Sequence, residues 1–190
     1  MIVVLAAGAG SRFEGDDHKL TALLDGRSIA EISIEAAVHA DIGPVVVVTG
    51  AVDLSLSGSE HVRLLDNPDW SAGQSTSLAA GIAEADRLGA DAIVVGLADQ
   101  PFIEPEAWRR VAAATSPIAV ATYDGKRRNP VRLHREIWPL LPKSGDEGAR
   151  SLIRQRAELV QEVPCPGSPA DIDTLEDLRT WQNRSSTNSP

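Results

Sequence analysis

The sequence predicts an α/β fold, doubly wound about a mostly parallel sheet with one antiparallel hairpin excursion. Three observations carry that expectation. Short β-branched runs alternate with segments of helical period, the pattern of parallel strands joined by crossover helices. The runs at 2–6, 45–49, 62–65 and 92–97 are almost continuously apolar, as strands covered on both faces are. Between 118–123 and 129–133 stands Asp124-Gly125, a favoured dipeptide for a tight hairpin turn.

Taken in order, strand 2–6 runs into a glycine-rich stretch, and helix 28–40 follows. Strands 45–49 and 62–65 come next, then helix 75–88, strand 92–97 and helix 105–114. After the hairpin, a segment at 136–141 ends at Pro142, and a helix at 146–156 and a strand at 159–163 follow. A last helix opens at Thr174 with Asp177 three residues on, a cap with an acid in the first turn. Residues 183–190 are polar and Ser-rich and read as a disordered tail. With no internal repeat and no interior linker, residues 1–182 form a single domain of ordinary size.

Composition narrows the function. Against 27 acidic residues there are 18 Lys plus Arg, a formal charge of -9, which argues against a nucleic-acid binder dependent on phosphate contacts. An anionic ligand must be held by local cations and N–H groups. The one cysteine, Cys165, lies between two prolines and reads as an inert thiol in a reducing compartment. There is no charged leader and no apolar run long enough for a bilayer, so the expectation is a cytoplasmic protein with no membrane partner.

The stretch LAAGAGSRFEGDDHK at 5–19 fits neither common phosphate motif. A dinucleotide fingerprint needs glycine where Phe13 stands, and a P-loop needs lysine where Asp16 stands. It still has the parts of an anion cradle: glycines after a strand let backbone N–H groups converge, and Arg12 and Lys19 supply charge. A plain strand-to-helix turn with solvated charges accounts for the same residues.

Asp99 follows strand 92–97 and emerges at the carboxyl edge of the sheet, where ligands of open α/β sheets bind. It can hold Mg²⁺, which needs few carboxylates once phosphate oxygens and waters complete its shell, or it is a turn aspartate before Pro101. Asp173 is a second candidate carboxylate or a helix N-terminal charge. The stretch 67–77, NPDWSAGQSTS, is rich in small and hydroxylated residues and reads either as a base or ribose pocket or as a loop with a helix cap. Lys126, Arg127, Arg128, Arg132, His134 and Arg135 concentrate cations, either facing the cleft or on a solvated surface. The four tryptophans, Trp70, Trp108, Trp138 and Trp181, form no base-stacking series, and no histidine sits in a nucleophile context.

In this order, LAAGAGSRF with Lys19, NPDWSAGQSTSLAAGI, LADQPF, RRNPVRL, SGDEGARSLI and DIDTLEDL resemble the molybdenum cofactor cytidylyltransferase branch of the MobA-like nucleotidyltransferase family, over positions 2 to about 181. The resemblance implies a Rossmann-like three-layer sandwich of the nucleotide-diphospho-sugar transferase type and a Mg²⁺-dependent transfer of a nucleotidyl group. CTP is the implied donor and the terminal phosphate of molybdopterin the acceptor, with a molybdoenzyme as a further partner. By similarity backbone groups of Ala7, Gly8, Ala9, Gly10 and Ser11 cradle the triphosphate, Arg12 holds its outer phosphates, and Lys19 offsets charge near the α-phosphate. Asp99 and Asp173 match metal positions, Gly73, Ser75 and Ser77 match the base and ribose segment, and Ala6-Ala7 matches the Ala-Ala-Gly form associated with cytosine.

Three departures stand out: the stretch 14–18, with three acids among its five residues, lengthens the spacing from Arg12 to Lys19, Asn129 stands where His or Gln is usual, and Ala98 replaces Gly before Asp99. The alternatives are another phosphorylated acceptor, GTP as donor, or a non-catalytic nucleotide- or cofactor-binding relative.

Overall fold

The computed structural model describes residues 1–14, 18–54, 56 and 62–187. All four residues of β1 (Ile2–Leu5) are buried, and alternate ones feed opposite cores: Ile2 and Val4 one cluster, Val3 and Leu5 another. That two-sided burial is why the strand reads as an unbroken apolar run. A small ribbon, β2 (Leu23–Leu24) and β3 (Arg27–Ser28), leads to α1 (Ile29–Val38), whose start is set by a capping box between Ser28 and Glu31. The chain continues through β4 (Val45–Thr49), β5 (Val62–Asp66), α2 (Gln74–Arg87), β6 (Ala92–Leu97) and α3 (Pro105–Ala112). Then come β7 (Ile118–Tyr123), β8 (Lys126–His134), α4 (Arg150–Gln155), β9 (Val160–Pro164) and α5 (Leu175–Thr187).

The seven-stranded sheet has the order β5-β4-β1-β6-β8-β7-β9. Strands β5, β4, β1 and β6 are mutually parallel, β8 enters antiparallel between β6 and β7, and β9 pairs parallel with β7. The expected mostly parallel sheet with one antiparallel excursion is therefore what forms. Asp124 and Gly125 both take positive φ, 50° and 72°, in the turn joining β7 to β8. Helices α1 and α3 cover one face with Ala30, Ile34, Ala107 and Trp108, and α2 and α4 cover the other with Leu78, Ala85, Leu152 and Ile153. Gly81 lets α2 approach β1 closely, since a Cβ there would stand 2.6 Å from a methyl of Val3.

Three local expectations change. The helix expected at 146–156 begins only at Arg150, because Gly145 and Gly148 take φ of 88° and 52° and hold the preceding chain in a loop. The segment at 136–141 becomes the 3-10 turn Arg135–Leu140, with Pro139 inside it. The polar tail expected from 183 instead continues α5 to Thr187, while residues 188–190 lie outside the described part. That helix is capped reciprocally by Thr174 and Asp177 and docks through Leu175, Leu178 and Trp181, with Trp181 stacked on Phe102 at 3.7 Å.

Candidate active site

At the carboxyl ends of the parallel strands lies a cleft of about 580 Å³. One wall is the turn that leaves β1. Ala6 donates its N–H to Val48 and Ala51 to the carbonyl of Ala7, so the turn is tied to β4 before it rises over the cleft. Gly10 has φ of 63°, and a Cβ there would meet the His18 ring and the Lys19 side chain at 3.1 Å. Glycine thus lets the chain fold back, and His18 Nε2 closes the loop on the carbonyl of Gly8 at 3.0 Å. Of the lengthened insertion, Gly15, Asp16 and Asp17 lie outside the described residues. Lys19 nonetheless reaches the cleft floor.

There Lys19 Nζ lies 2.5 Å from Asp99 Oδ2 and 3.0 Å from Asp173 Oδ1, with only 12 % of its side chain exposed. Burial pulls the ammonium pKa down, but the charges and hydrogen bonds of the two carboxylates outweigh it and leave Lys19 above its ordinary value. Arg12, three-quarters exposed, pairs with the other oxygen of Asp173 at 2.9 Å. Asp99 is brought here by β6 and braced from behind: buried Ser33 of α1 donates to the carbonyl of Ala98 at 2.8 Å.

The carbonyl of Asp99 accepts the N–H of Ile172 at 3.0 Å. This contact sets 171–173 beside the strand end. Ile172 is fully buried while Asp171 and Asp173, its neighbours on either side, both line the cleft. Asp171 is a residue that sequence reasoning did not single out, although the alternation acid-apolar-acid beside a helix start was visible. Its carboxyl is pushed up by burial first, then by the nearby charges of Asp99 and Asp173; a hydrogen bond from Gln100 and the charge of Lys19 act the other way. Gln100, itself buried, donates to Asp171 at 2.5 Å and accepts from Asn129 at 3.0 Å, which ties β8 to the acidic floor.

The opposite end is built by 67–77. Buried Asn67 donates to Thr76 Oγ1 and Ser77 Oγ at 3.0 and 2.9 Å and so stitches the strand end to the start of α2. Gly73, at φ 108°, lies so close to Gly145 that a Cβ would collide with the backbone there. The two segments are joined by Ser75 N–H to Gly145 O at 2.9 Å and Gly145 N–H to Ala72 O at 3.0 Å.

Of the residues expected to bind nucleotide, Ala6, Ala7, Gly8, Ala9, Gly10, Ser11, Arg12, Lys19, Gly73 and Ser77 line this one cleft, together with Asp99 and Asp173. Ser75 does not. It is fully buried, and its hydroxyl accepts the N–H of Gly148 at 3.2 Å, so its contribution is to anchor the 144–149 loop. The hairpin cations are absent from the cleft wall as well: Arg127 pairs with Glu162, Arg132 donates to the carbonyl of Ser116, and Arg135 reaches Asp86 and Asp91. Trp70, Gln74, Asp146 and Arg150 do line it; the first two belong to the stretch read as a pocket, and the last two come from the 144–149 loop and the start of α4, whose approach no local pattern announces.

A divalent cation suits this floor. Asp99 Oδ1 is buried without a hydrogen-bond partner, an oxygen in need of a positive neighbour. Among the described residues no group of three or more His, Cys, Asp or Glu side chains converges as a complete cage. One or two carboxylates with phosphate oxygens and water is the shell Mg²⁺ favours.

A strand-end glycine turn, two cations and paired carboxylates meet at the switch point of a doubly wound sheet, the place where open α/β sheets bind their ligands. The chain belongs to the MobA-like NTP transferase family, whose domain matches residues 2–160. It is 32% identical over 190 residues to the purine catabolism protein PucB of Bacillus subtilis, covering 92% of each chain. It is 31% identical over 192 residues to nicotine blue oxidoreductase of Paenarthrobacter nicotinovorans, covering 93% of each. A nucleotidyl transferase from Methanothermobacter thermautotroptrophicus shares the fold over 98% of both chains, with a TM-score of 0.80 and 24% identity. A Mycobacterium tuberculosis structure described as Rv0371C in complex with manganese shares it over 96% of this chain and 97% of that one, at a TM-score of 0.73 and 24% identity.

Proposed function

We propose that this nucleotidyltransferase moves CMP from CTP to the terminal phosphate of molybdopterin, with or without bound molybdenum, and releases pyrophosphate with Mg²⁺ as the metal. The observation that carries it is the juxtaposition of Lys19, Asp99 and Asp173 at the mouth of the glycine turn. An acceptor phosphate oxygen attacks the α-phosphorus, a new P–O–P linkage forms, and the bond to the β-phosphate oxygen breaks with its electron pair leaving on pyrophosphate. Such a reaction asks a protein for alignment and charge neutralisation rather than for a nucleophile.

The amides from Ala7 to Ser11 bind the triphosphate, Arg12 draws in its outer phosphates, and Lys19 offsets charge at the α-phosphate. Asp99 and Asp173 would hold Mg²⁺, which when bound neutralises the phosphate oxygens and favours departure of pyrophosphate. The manganese complex of a structural relative supports a divalent metal on this fold. Preference for CTP rests on the Ala6-Ala7 form of the turn, and the molybdopterin acceptor on the order of the six sequence blocks.

The test is pyrophosphate release with Mg²⁺ and each of four nucleoside triphosphates, with molybdopterin and simpler phosphorylated acceptors. Release with CTP and molybdopterin is expected; release with GTP alone, or only with another acceptor, overturns the substrate assignment. A second reading is favoured by one observation, the relative whose name describes a redox enzyme. It expects a substrate-dependent change in cofactor absorbance and no pyrophosphate.

A further inference from the structure

Four tryptophans are spread along the chain, and three have a packing role. Trp108 is buried in one core cluster, while Trp138 and Trp181 pack against the other two. Trp70 belongs to none of the three clusters. It lines the cleft instead, the one aromatic side chain among the described residues that does so.

Its position is tightly determined. The 3-10 turn Trp70–Ala72 is closed by Trp70 N–H to Asn67 O at 3.2 Å and Gly73 N–H to Trp70 O at 3.1 Å. Behind the indole stands Gly50, at the end of β4. A Cβ on Gly50 would lie 2.7 Å from both Cβ and Cγ of Trp70 and 2.9 Å from Cβ of Ala7. The absence of a side chain at 50 therefore seats Trp70 against the first residues of the phosphate-binding turn. A large, half-exposed ring held there, in a cleft otherwise walled by small, charged and aliphatic groups, has a face to offer a flat ligand.

We infer that Trp70 is the aromatic platform on which the nucleobase of the bound triphosphate stacks, so that it acts on affinity for the base while the turn at 7–12 acts on the phosphates. This inference rests on the nucleotide reading of the cleft, and deepens it. The acceptor of the proposed reaction also carries a flat heteroaromatic ring, but Trp70 adjoins Ala7 and leads into Gly73 and Ser77, the segment facing the nucleotide. A stacked base contributes enough that its loss weakens binding by about tenfold or more. Stacking tolerates any base, so Trp70 sets affinity rather than the choice between cytosine and guanine.

The experiment uses the full chain with Mg²⁺ and no acceptor, and compares CTP with inorganic tripolyphosphate, which has the phosphates and no base. Binding is followed by calorimetry and by tryptophan fluorescence in the wild type, Trp70→Phe and Trp70→Leu. CTP, but not tripolyphosphate, should quench wild-type fluorescence, and the quench should vanish in both variants. Affinity for CTP should fall about tenfold or more in Trp70→Leu, be largely kept in Trp70→Phe, and leave tripolyphosphate affinity unchanged in both. Equal affinity of Trp70→Leu and wild type for CTP, or an equal loss for tripolyphosphate, overturns the platform. So does a quench that appears only on adding molybdopterin. Quenching by GTP with no response to CTP would instead overturn the donor assigned above and leave Trp70 as the platform. A wild type that binds neither probe would remove the nucleotide reading itself, and the platform with it.

Discussion

Lys19 and Arg127 are cations of equal formal charge in very different circumstances. Lys19 is nearly enclosed, its ammonium held between Asp99 and Asp173 at the carboxyl edge of the sheet. Arg127 lies in the densest cationic run of the chain, yet on β8 it is 41 % exposed and pairs with Glu162 of β9. Neighbouring Arg132 and Arg135 are occupied by a carbonyl and by surface acids. The difference teaches that a cation's place is set by where its partner carboxylates emerge, not by how many cations the sequence crowds together. At the strand ends the acids sit beside backbone N–H groups and a cleft; on the hairpin they sit in solvent, where attraction is screened.

The comparison can be broken by removing charges from each side. Asp99→Ala should cost the most, on the order of a thousandfold or more in pyrophosphate release, since several kcal/mol of metal-borne charge stabilisation depend on it. Its circular dichroism should stay near wild type and its thermal midpoint should fall only modestly, because Lys19 loses Asp99 Oδ2 but keeps Asp173 as a partner. Near-normal turnover would take Asp99 out of the site. Lys19→Ala should come next, slowing turnover about a hundredfold or more as one preorganised charge donor is lost. Unchanged kinetics would mean that the ammonium between the two carboxylates has no part in transfer.

Arg127→Ala marks the quiet side. Turnover should hold within about twofold, and urea unfolding should show a loss below about 1 kcal/mol, as for an exposed ion pair. A large fall in kcat/KM would instead place the hairpin over the cleft during catalysis. The smallest effect belongs to Cys165 at the end of β9. Burial first, and then the charge of Glu106, push the thiol up, with the charge of Arg110 and a hydrogen bond from the Thr122 backbone to the sulfur acting against them. Because the folded thiol titrates above the unfolded one, the thiolate fraction at pH 8 is lower in the folded protein, and alkylation should speed up as pH rises toward the raised value. Iodoacetamide should therefore label native Cys165 more slowly than the urea-unfolded chain, with turnover unaffected by Cys165→Ala; equal labelling rates would contradict the burial.

Much of this site was legible in the chain. Gly8, Gly10, Asp99 and Lys19 could be picked out because a strand followed by glycines, or by an acid before a proline, places those residues at the sheet's carboxyl edge whatever the details. Ser75 lies outside the cleft wall, and the sequence could not tell, since a serine that opens a helix looks the same whether its hydroxyl faces a cleft or, as here, accepts Gly148 from a distant loop. Asp171, Asp146 and Arg150 line the cleft through approaches that join residues far apart in the chain, such as Asp99 with Ile172 and Ser75 with Gly145. The 144–149 loop reads as helix by pattern until its glycines are seen at positive φ.

By itself the sequence determined the alternation of strands and helices, the antiparallel excursion and the glycine turn after β1, because these depend on periodicity, on turn chemistry and on glycine's freedom over short spans. Only the tertiary structure decided which cations line the cleft, that Lys19 is gripped by two carboxylates from the middle and the far part of the chain, and that one tryptophan of four lines the cleft. Those outcomes depend on contacts between remote segments, whose energy no local pattern records.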